Sequence, residues 1–275
     1  MRLGYIDYLN CYPFYYHMFE RESIGGVKVI PGYPTDLNRM MIFGELDMSP
    51  ISAATCAEMN GQILLLPDSC LSSVGYVGSV VLRSKVPIED LHRRTVGLSR
   101  ASYTSVLLLK ILLQRYYDIE PVYRTTDPNP TLDGMDAALL IGNEAMVGSH
   151  QPVSYSYDLG ELWLRKTGSP VVFAVFAVRQ SAIEKHSSRI RAVLHSYHDS
   201  LHCLEAEREK VLAGAQGRYP DIMYDVNAYY RTLQFDFTDT LKDALTHYLD
   251  LAAELGLVDE RAQLTYLQLN RDLPE

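Results

Sequence analysis

Short apolar runs closed by turn residues alternate, through the first third of the chain, with stretches whose apolar positions recur every three or four residues. Residues 3–6, 27–30, 46–49 and 63–66 have the first pattern and read as strands. The intervening stretches read as helices over 13–22, 35–43 and 50–58. Pro13 opens the first, Thr35 or Asp36 starts the second with Gly44 as its stop, and Pro50-Ile51-Ser52 opens the third. This rhythm predicts a mostly parallel sheet with helices on its faces.

Two longer extended runs follow, 79–84 and the apolar Val171-Val172-Phe173-Ala174-Val175-Phe176-Ala177-Val178. Between them lies a second α/β unit. It has a strand at 95–98, a turn at 99–102, a helix over 104–117, a loop at 127–130 and a strand at 137–141, and Gly142-Asn143 opens its next helix. Beyond Val178 the pattern is nearly all helical. Ser181 and Glu184 have capping-box spacing. The stretch 238–255 puts Leu241, Leu245, Leu249 and Ala252 on one face and stops at Gly256. An α/β unit inserted between two long strands predicts a chain that crosses to a second lobe and returns. Lobe one is then 1–83 and 175–275, lobe two 84–174, and the crossings fall near 82–84 and 172–174. The cleft between lobes is the expected ligand site. This is the layout of an α/β, two-lobed, periplasmic-binding-protein-like (type II) fold with two hinge crossings.

Charge and motifs narrow the chemistry. Twenty-five basic against 34 acidic side chains leave a formal charge of −9, which argues against general nucleic-acid binding. A local cluster of N–H groups and hydroxyls still suits a small anion. No apolar run is long enough to span a bilayer, so no membrane association is expected. The start has no basic region, apolar core or cleavage site of a signal peptide, which predicts a cytoplasmic protein. Cys11, Cys56, Cys70 and Cys203 form no CxxC pair and read as small hydrophobes, although Cys11 adjoins Asn10.

Four strand-to-helix turns carry small polar residues: Asn10; Ser49 and Ser52; Ser102, Tyr103, Thr104 and Ser105; and Gly142 with Asn143. In parallel α/β sheets such turns gather at the ligand crevice, and Ser79, opening the first crossing strand, should border it. Each alone reads as a helix cap; four together predict an anion-binding cleft. His195, His198 and His202 share a helical face, but no metal-binding, nucleotide-binding or hydrolase motif accompanies them, so neither metal nor cofactor is expected. Trp163 and many of the 20 tyrosines read as core or cleft wall rather than cofactor platforms.

At this point a resemblance enters. GYIDYLNCYPFYY, GELDMSPISAA, LPDSCLSSVGYVGSVVLRSKVPIEDL, TVGLSRASYTSVLLLKILL, AALLIGNEAM and YDLGELWLRKTGSPVVFAVFAVR, in this order over residues 2–179, resemble the chorismate dehydratases of the futalosine route to menaquinone. The resemblance implies the two-lobed fold and a lyase that turns chorismate into 3-[(1-carboxyvinyl)oxy]benzoate by loss of water. It also implies Asn10 and Ser79 as the active-site Asn and Ser, and Ser102, Thr104 and Ser105 as part of a Ser/Thr-rich helix start. The chain departs from the family pattern at Tyr103, where an Arg is usual, and at Asn143, where an Asp is usual. With chorismate as substrate, the neutral cleft turns predict that no protein carboxylate or histidine is the essential base. The substrate's own enolpyruvyl carboxylate then takes the C3 proton; Asp7, Asp136 and Glu144 are the rival bases. Two other readings are a sister enzyme forming 1,4-dihydroxy-6-naphthoate, which is expected to carry paired Ser and Pro and a cleft His, and a non-enzymatic solute-binding protein. The oligomeric state is left open by the sequence.

Overall fold

The computed structural model describes residues 1–147 and 152–273. Its chain opens on β1 (Arg2–Ile6), whose last four residues are buried, and α1 (Tyr12–Glu20) carries it back along the sheet. β2 (Lys28–Gly32) and β3 (Met48–Ser52) flank β1 in parallel, joined by α2 (Pro34–Ile42), where Pro at the first turn starts the helix and Leu37 and Met41 face the core. The pattern predicted a helix from Pro50, but β3 instead runs on through Ser52, followed by 3₁₀ turns over Ala53–Met59. An antiparallel partner later in the chain, with Phe176 opposite Pro50 and Ala174 opposite Ser52, holds these residues extended against their local cap signal.

β4 (Ile63–Ser73) is much longer than the predicted 63–66. Pro67 and Asp68 look like a turn in sequence, and they fall in a stretch where the ladder register is irregular, which spares the ladder the N–H that proline lacks. The chain then enters a second sheet with β5 (Val80–Ser84), β6 (Thr95–Ser99), α3 (Tyr103–Ile111), β7 (Val122–Thr126), β8 (Ala137–Ile141), α4 (Asn143–Met146) and β9 (Tyr155–Asp158). Helix α5 (Leu159–Thr167), capped by Asp158 and stopped by Gly168, leads to β10 (Val171–Arg179), back in the first sheet. Next come α6 (Gln180–Ala206), α7 (Arg208–Arg218), α8 (Val226–Thr232), β11 (Leu233–Asp236) and α9 (Asp239–Glu254). The strand orders are β11-β4-β10-β3-β1-β2 and β7-β6-β8-β5-β9.

The chain therefore changes sheet between Ser73 and Val80 and again between Asp158 and Val171. The expected boundaries at 83/84 and 174/175 fall inside β5 and β10, because each of those strands pairs along its whole length in one sheet. Ser73 lies opposite Val171, so both passages leave the first sheet side by side. Asp158 ties them together: its carboxylate accepts N–H bonds from Gly78 at 2.7 Å and Val77 at 3.2 Å while capping Glu161 at 3.0 Å. Burial raises its pKa despite these bonds.

The expected cap at Ser181 is not formed, since α6 starts two residues earlier than that cap implies, with Arg179 at the cap, its guanidinium bonded to the Met41 and Ile42 carbonyls at the end of α2. α6 packs its Tyr197 ring on Phe14 and Tyr15 of α1. α9 was expected on the first lobe; it also reaches the second, because the fully buried Tyr248 hydroxyl needs an acceptor and finds the Thr104 carbonyl of α3 at 3.0 Å. Among the described residues no helix is long and apolar enough to cross a membrane.

Candidate functional site

Between the lobes lies a narrow cavity of about 40 Å³. Polar groups come from Asn10, Ser52, Ser79, Ser102, Ser105 and Tyr8, and the apolar walls from Ile6, Leu71, Val77, Phe173 and Leu233 among others. Every lining residue is formally neutral. Asn10 Oδ1 and Ser52 Oγ are buried and bond to no other described residue, so both are free to meet a ligand. Ser79 is 2 % exposed, and its Oγ accepts a 2.9 Å bond from the Tyr229 hydroxyl. Its carbonyl accepts the Gly142 N–H at 2.7 Å.

The Ser102–Ser105 turn has the helix-start geometry that the sequence predicts. Ser102 is the cap of α3, its Oγ receives the Ser105 N–H, and the two hydroxyls stand 3.2 Å apart on the cavity wall. An anion here would meet the positive end of a nine-residue helix.

Four of the remaining five candidates, Ser49, Tyr103, Thr104 and Asn143, do not line the cavity. Thr104 is fully buried and its Oγ1 accepts the Ala54 N–H at 3.2 Å, which makes it a strut between lobes. Ser49 donates to the Pro50 carbonyl and packs so closely on Gly4 that a Cβ there would overlap its hydroxyl. Tyr103 faces an adjoining pocket with Arg39, Arg100 and Lys110, where burial pushes its hydroxyl up to about 12. Asn143 Oδ1 accepts the Leu9 N–H at 2.8 Å, stapling the second lobe to the turn that carries Asn10. Gly142 does line the cavity; it has φ +66°, and the Tyr8 ring packs where its side chain would be.

Three acids were rivals for a catalytic role. Asp136 is held at the start of β8 by Arg94 at 3.2 Å and the Thr95 N–H at 3.0 Å. Asp7 accepts the Tyr219 hydroxyl at 2.9 Å and adjoins Arg218. Both stand outside the cavity lining. Glu144 borders a second opening that shares Tyr8 with the cavity. Burial raises its pKa, partly offset by the nearby Tyr8 and Tyr33 hydroxyls; its Oε2 and the Tyr8 hydroxyl are buried without a well-aligned bond to a described residue. The Cys11 thiol is fully buried and pushed up by that burial, which leaves it unreactive. His195, His198 and His202 are exposed, and the described residues hold no cluster of metal ligands. Tyr8 and Tyr229 were missed in the sequence. A tyrosine among twenty carries no spacing signal, and Tyr229 reaches Ser79 across 150 residues.

Two α/β lobes joined by paired crossings, with a mostly apolar cavity between them that carries a few polar groups, define a periplasmic-binding-protein-like fold. A crystal structure of an Archaeoglobus fulgidus protein shares the fold with a TM-score of 0.73 at 18% identity, over 94% of this chain and 98% of that one. The periplasmic aliphatic sulphonate binding protein of Escherichia coli shares it with a TM-score of 0.61 at 17% identity, over 95% and 94%. Residues 1–254 match the menaquinone biosynthesis family, and the chain belongs to that family. A chorismate dehydratase of Thermus thermophilus is 32% identical over 194 residues, 65% of this chain and 69% of the relative. A 1,4-dihydroxy-6-naphthoate synthase of Streptomyces coelicolor is 25% identical over 240 residues, 80% of each chain.

Proposed function

We propose that the protein is a cytoplasmic chorismate dehydratase that forms 3-[(1-carboxyvinyl)oxy]benzoate without a cofactor. The observation that carries this reading is the pairing of Asn10 and Ser79 in one neutral, enclosed cavity, with a helix start on its wall. The chorismate dehydratase relative supports the choice of substrate.

The C3–H of chorismate is acidified by vinylogy with the ring carboxylate. Its removal gives an extended dienolate, which expels the 4-hydroxyl and becomes aromatic. The enolpyruvyl carboxylate folds back through a six-atom ring that includes the proton, and takes it. C3–H and C4–OH lie on the same ring face, so hydroxide leaves on the side where that proton is held, and the two depart as water. Asn10 and Ser79 hold the folded conformer and bond to the leaving oxygen. Ser102, Ser105 and the N–H groups of α3 receive a carboxylate.

Incubation of the pure protein with chorismate, followed by mass analysis, should show loss of one water, with and without a chelator. If only cyclised futalosine derivatives turn over, the naphthoate-synthase reading replaces this one. If chorismate binds and returns unchanged, the protein is a carrier. Replacing Asp7, Asp136 and Glu144 one at a time should leave kcat within about tenfold. A drop of about a thousandfold from a single acid, with the fold intact, would identify a protein base and overturn the substrate-assisted step.

A further inference from the structure

Asn10 and Ser79 lie on different segments, and one short helix grips both. Asp225 caps α8, its Oδ1 accepting N–H bonds from Asn227 at 2.9 Å and Ala228 at 3.1 Å. The cap fixes how α8 presents two consecutive buried tyrosines. Tyr230 donates to the Leu9 carbonyl at 2.9 Å, one peptide before Asn10. Tyr229 donates to Ser79 Oγ at 2.9 Å, and its hydroxyl also stands against the Asn10 side chain.

A serine hydroxyl has one proton to give and lone pairs to receive with. We infer that Tyr229 is a positioning residue: by filling an acceptor site of Ser79 Oγ, it leaves the Ser79 proton aimed at substrate. This rests on the dehydratase reading. The cavity then has fixed polarity, with Ser79 as donor and the free Asn10 Oδ1 as acceptor. That pair matches a hydroxyl leaving group. Asn10 accepts the proton of the bound 4-hydroxyl, and Ser79 donates to its oxygen as the carbon–oxygen bond breaks and charge gathers there. Full burial, which disfavours ionisation of Tyr229, keeps it a donor.

The test is a double-mutant cycle on chorismate turnover with Tyr229→Phe, Ser79→Ala and the double variant. Tyr229→Phe keeps the ring and should lower kcat about tenfold with KM within about twofold, the size of one lost hydrogen bond felt at the transition state. In the Ser79→Ala background it should cost clearly less, since only its contact with Asn10 remains to be lost. Equal losses in both backgrounds, or a change confined to KM, would overturn the inference while leaving the dehydratase reading standing. Absence of turnover by the parent protein would overturn the dehydratase reading and this role with it. A substrate-free measurement covers the case in which Tyr229→Phe fails to fold. In ¹³C-tyrosine-labelled protein, Ser79→Ala should shift the Tyr229 Cζ resonance; an unmoved resonance would refute the bond on which the role depends.

Discussion

Gly142→Ala is the single substitution that the site should tolerate least. Gly142 has φ +66° and ψ −137°, a region open essentially to glycine, and forcing alanine there costs about 1–3 kcal/mol. The added Cβ would stand 2.6 Å from both Cδ2 and Cζ of the Tyr8 ring, where carbon contacts settle at about 3.5–4.0 Å. Tyr8 is 4 % exposed and braced edge-on by Tyr33, so its ring has little room to withdraw. Overpacking of this kind costs roughly 1–3 kcal/mol more. The sum is about 2–6 kcal/mol of folding stability. Because the Gly142 N–H bonds the Ser79 carbonyl, any relief by backbone movement also shifts Ser79. Gly168→Ala is the control for a positive φ without a clash: φ is +72° and nothing lies within 4 Å of its Cβ, so it carries only the left-handed penalty of about 1–2 kcal/mol. Urea unfolding of both variants measures what the clash and the stricter backbone region of Gly142 add together, and chorismate turnover reads the effect on the cavity. If Gly142→Ala proves no less stable than Gly168→Ala, the packing of Tyr8 on Gly142 is not what confines this position to glycine.

Two further outcomes follow from the same geometry. Thr104→Ala strands the buried Ala54 N–H, so it should cost about 1–3 kcal/mol of stability in denaturant titration; a weaker affinity for substrate with unchanged stability would return Thr104 to the cavity. Glu144→Gln should flatten the dependence of stability on pH. Burial holds the Glu144 pKa above its value in the unfolded chain, so between the two values the folded protein binds more protons there. Stability from this group is therefore full below the unfolded value and lost as pH rises through the folded one. The Gln variant should gain on the parent above that window and match it below; identical slopes through the window would show that Glu144 is not strained by burial.

Much of this was legible in the chain. The strand and helix rhythm located β1, β2, β6 and β8, because local periodicity and turn residues agree there. It failed at Pro50, where an antiparallel neighbour 126 residues away overrides a cap signal, and at β11, whose Leu233–Asp236 is extended only because β4 offers it an edge. The crossings were expected within the strands because an extended run looks the same in either sheet; the partner strand, not the residue type, decides its lobe. In the site, Asn10, Ser52, Ser102 and Ser105 were visible as polar groups at strand–helix turns, and Ser79 as the start of a crossing strand, all properties of chain position. Whether such a group faces the cavity or a neighbouring backbone N–H depends on long-range packing, and this separates Ser102 from Thr104 two residues on.

Tyr103 shows how that distinction bears on function. The resemblance places an arginine there, and an arginine facing the cavity would give a dianionic substrate a counter-charge that tyrosine lacks. In this chain position 103 turns away from the cavity, into a pocket that holds Arg39, Arg100 and Lys110 together with Asp36 and Glu58. Those cations lie on the far side of the turn, and Ser102 borders both spaces. A carboxylate at Ser102 would then feel the helix N-terminus directly, while the cations next door are offset by the carboxylates beside them. Such an arrangement favours the anion without placing a cation against the dienolate. A fixed charge in contact with the carboxylates would stabilise them before reaction as well as after, and uniform binding adds nothing to the chemical step. Neutral donors aimed at the leaving oxygen act where charge develops, which is where a dehydration needs them.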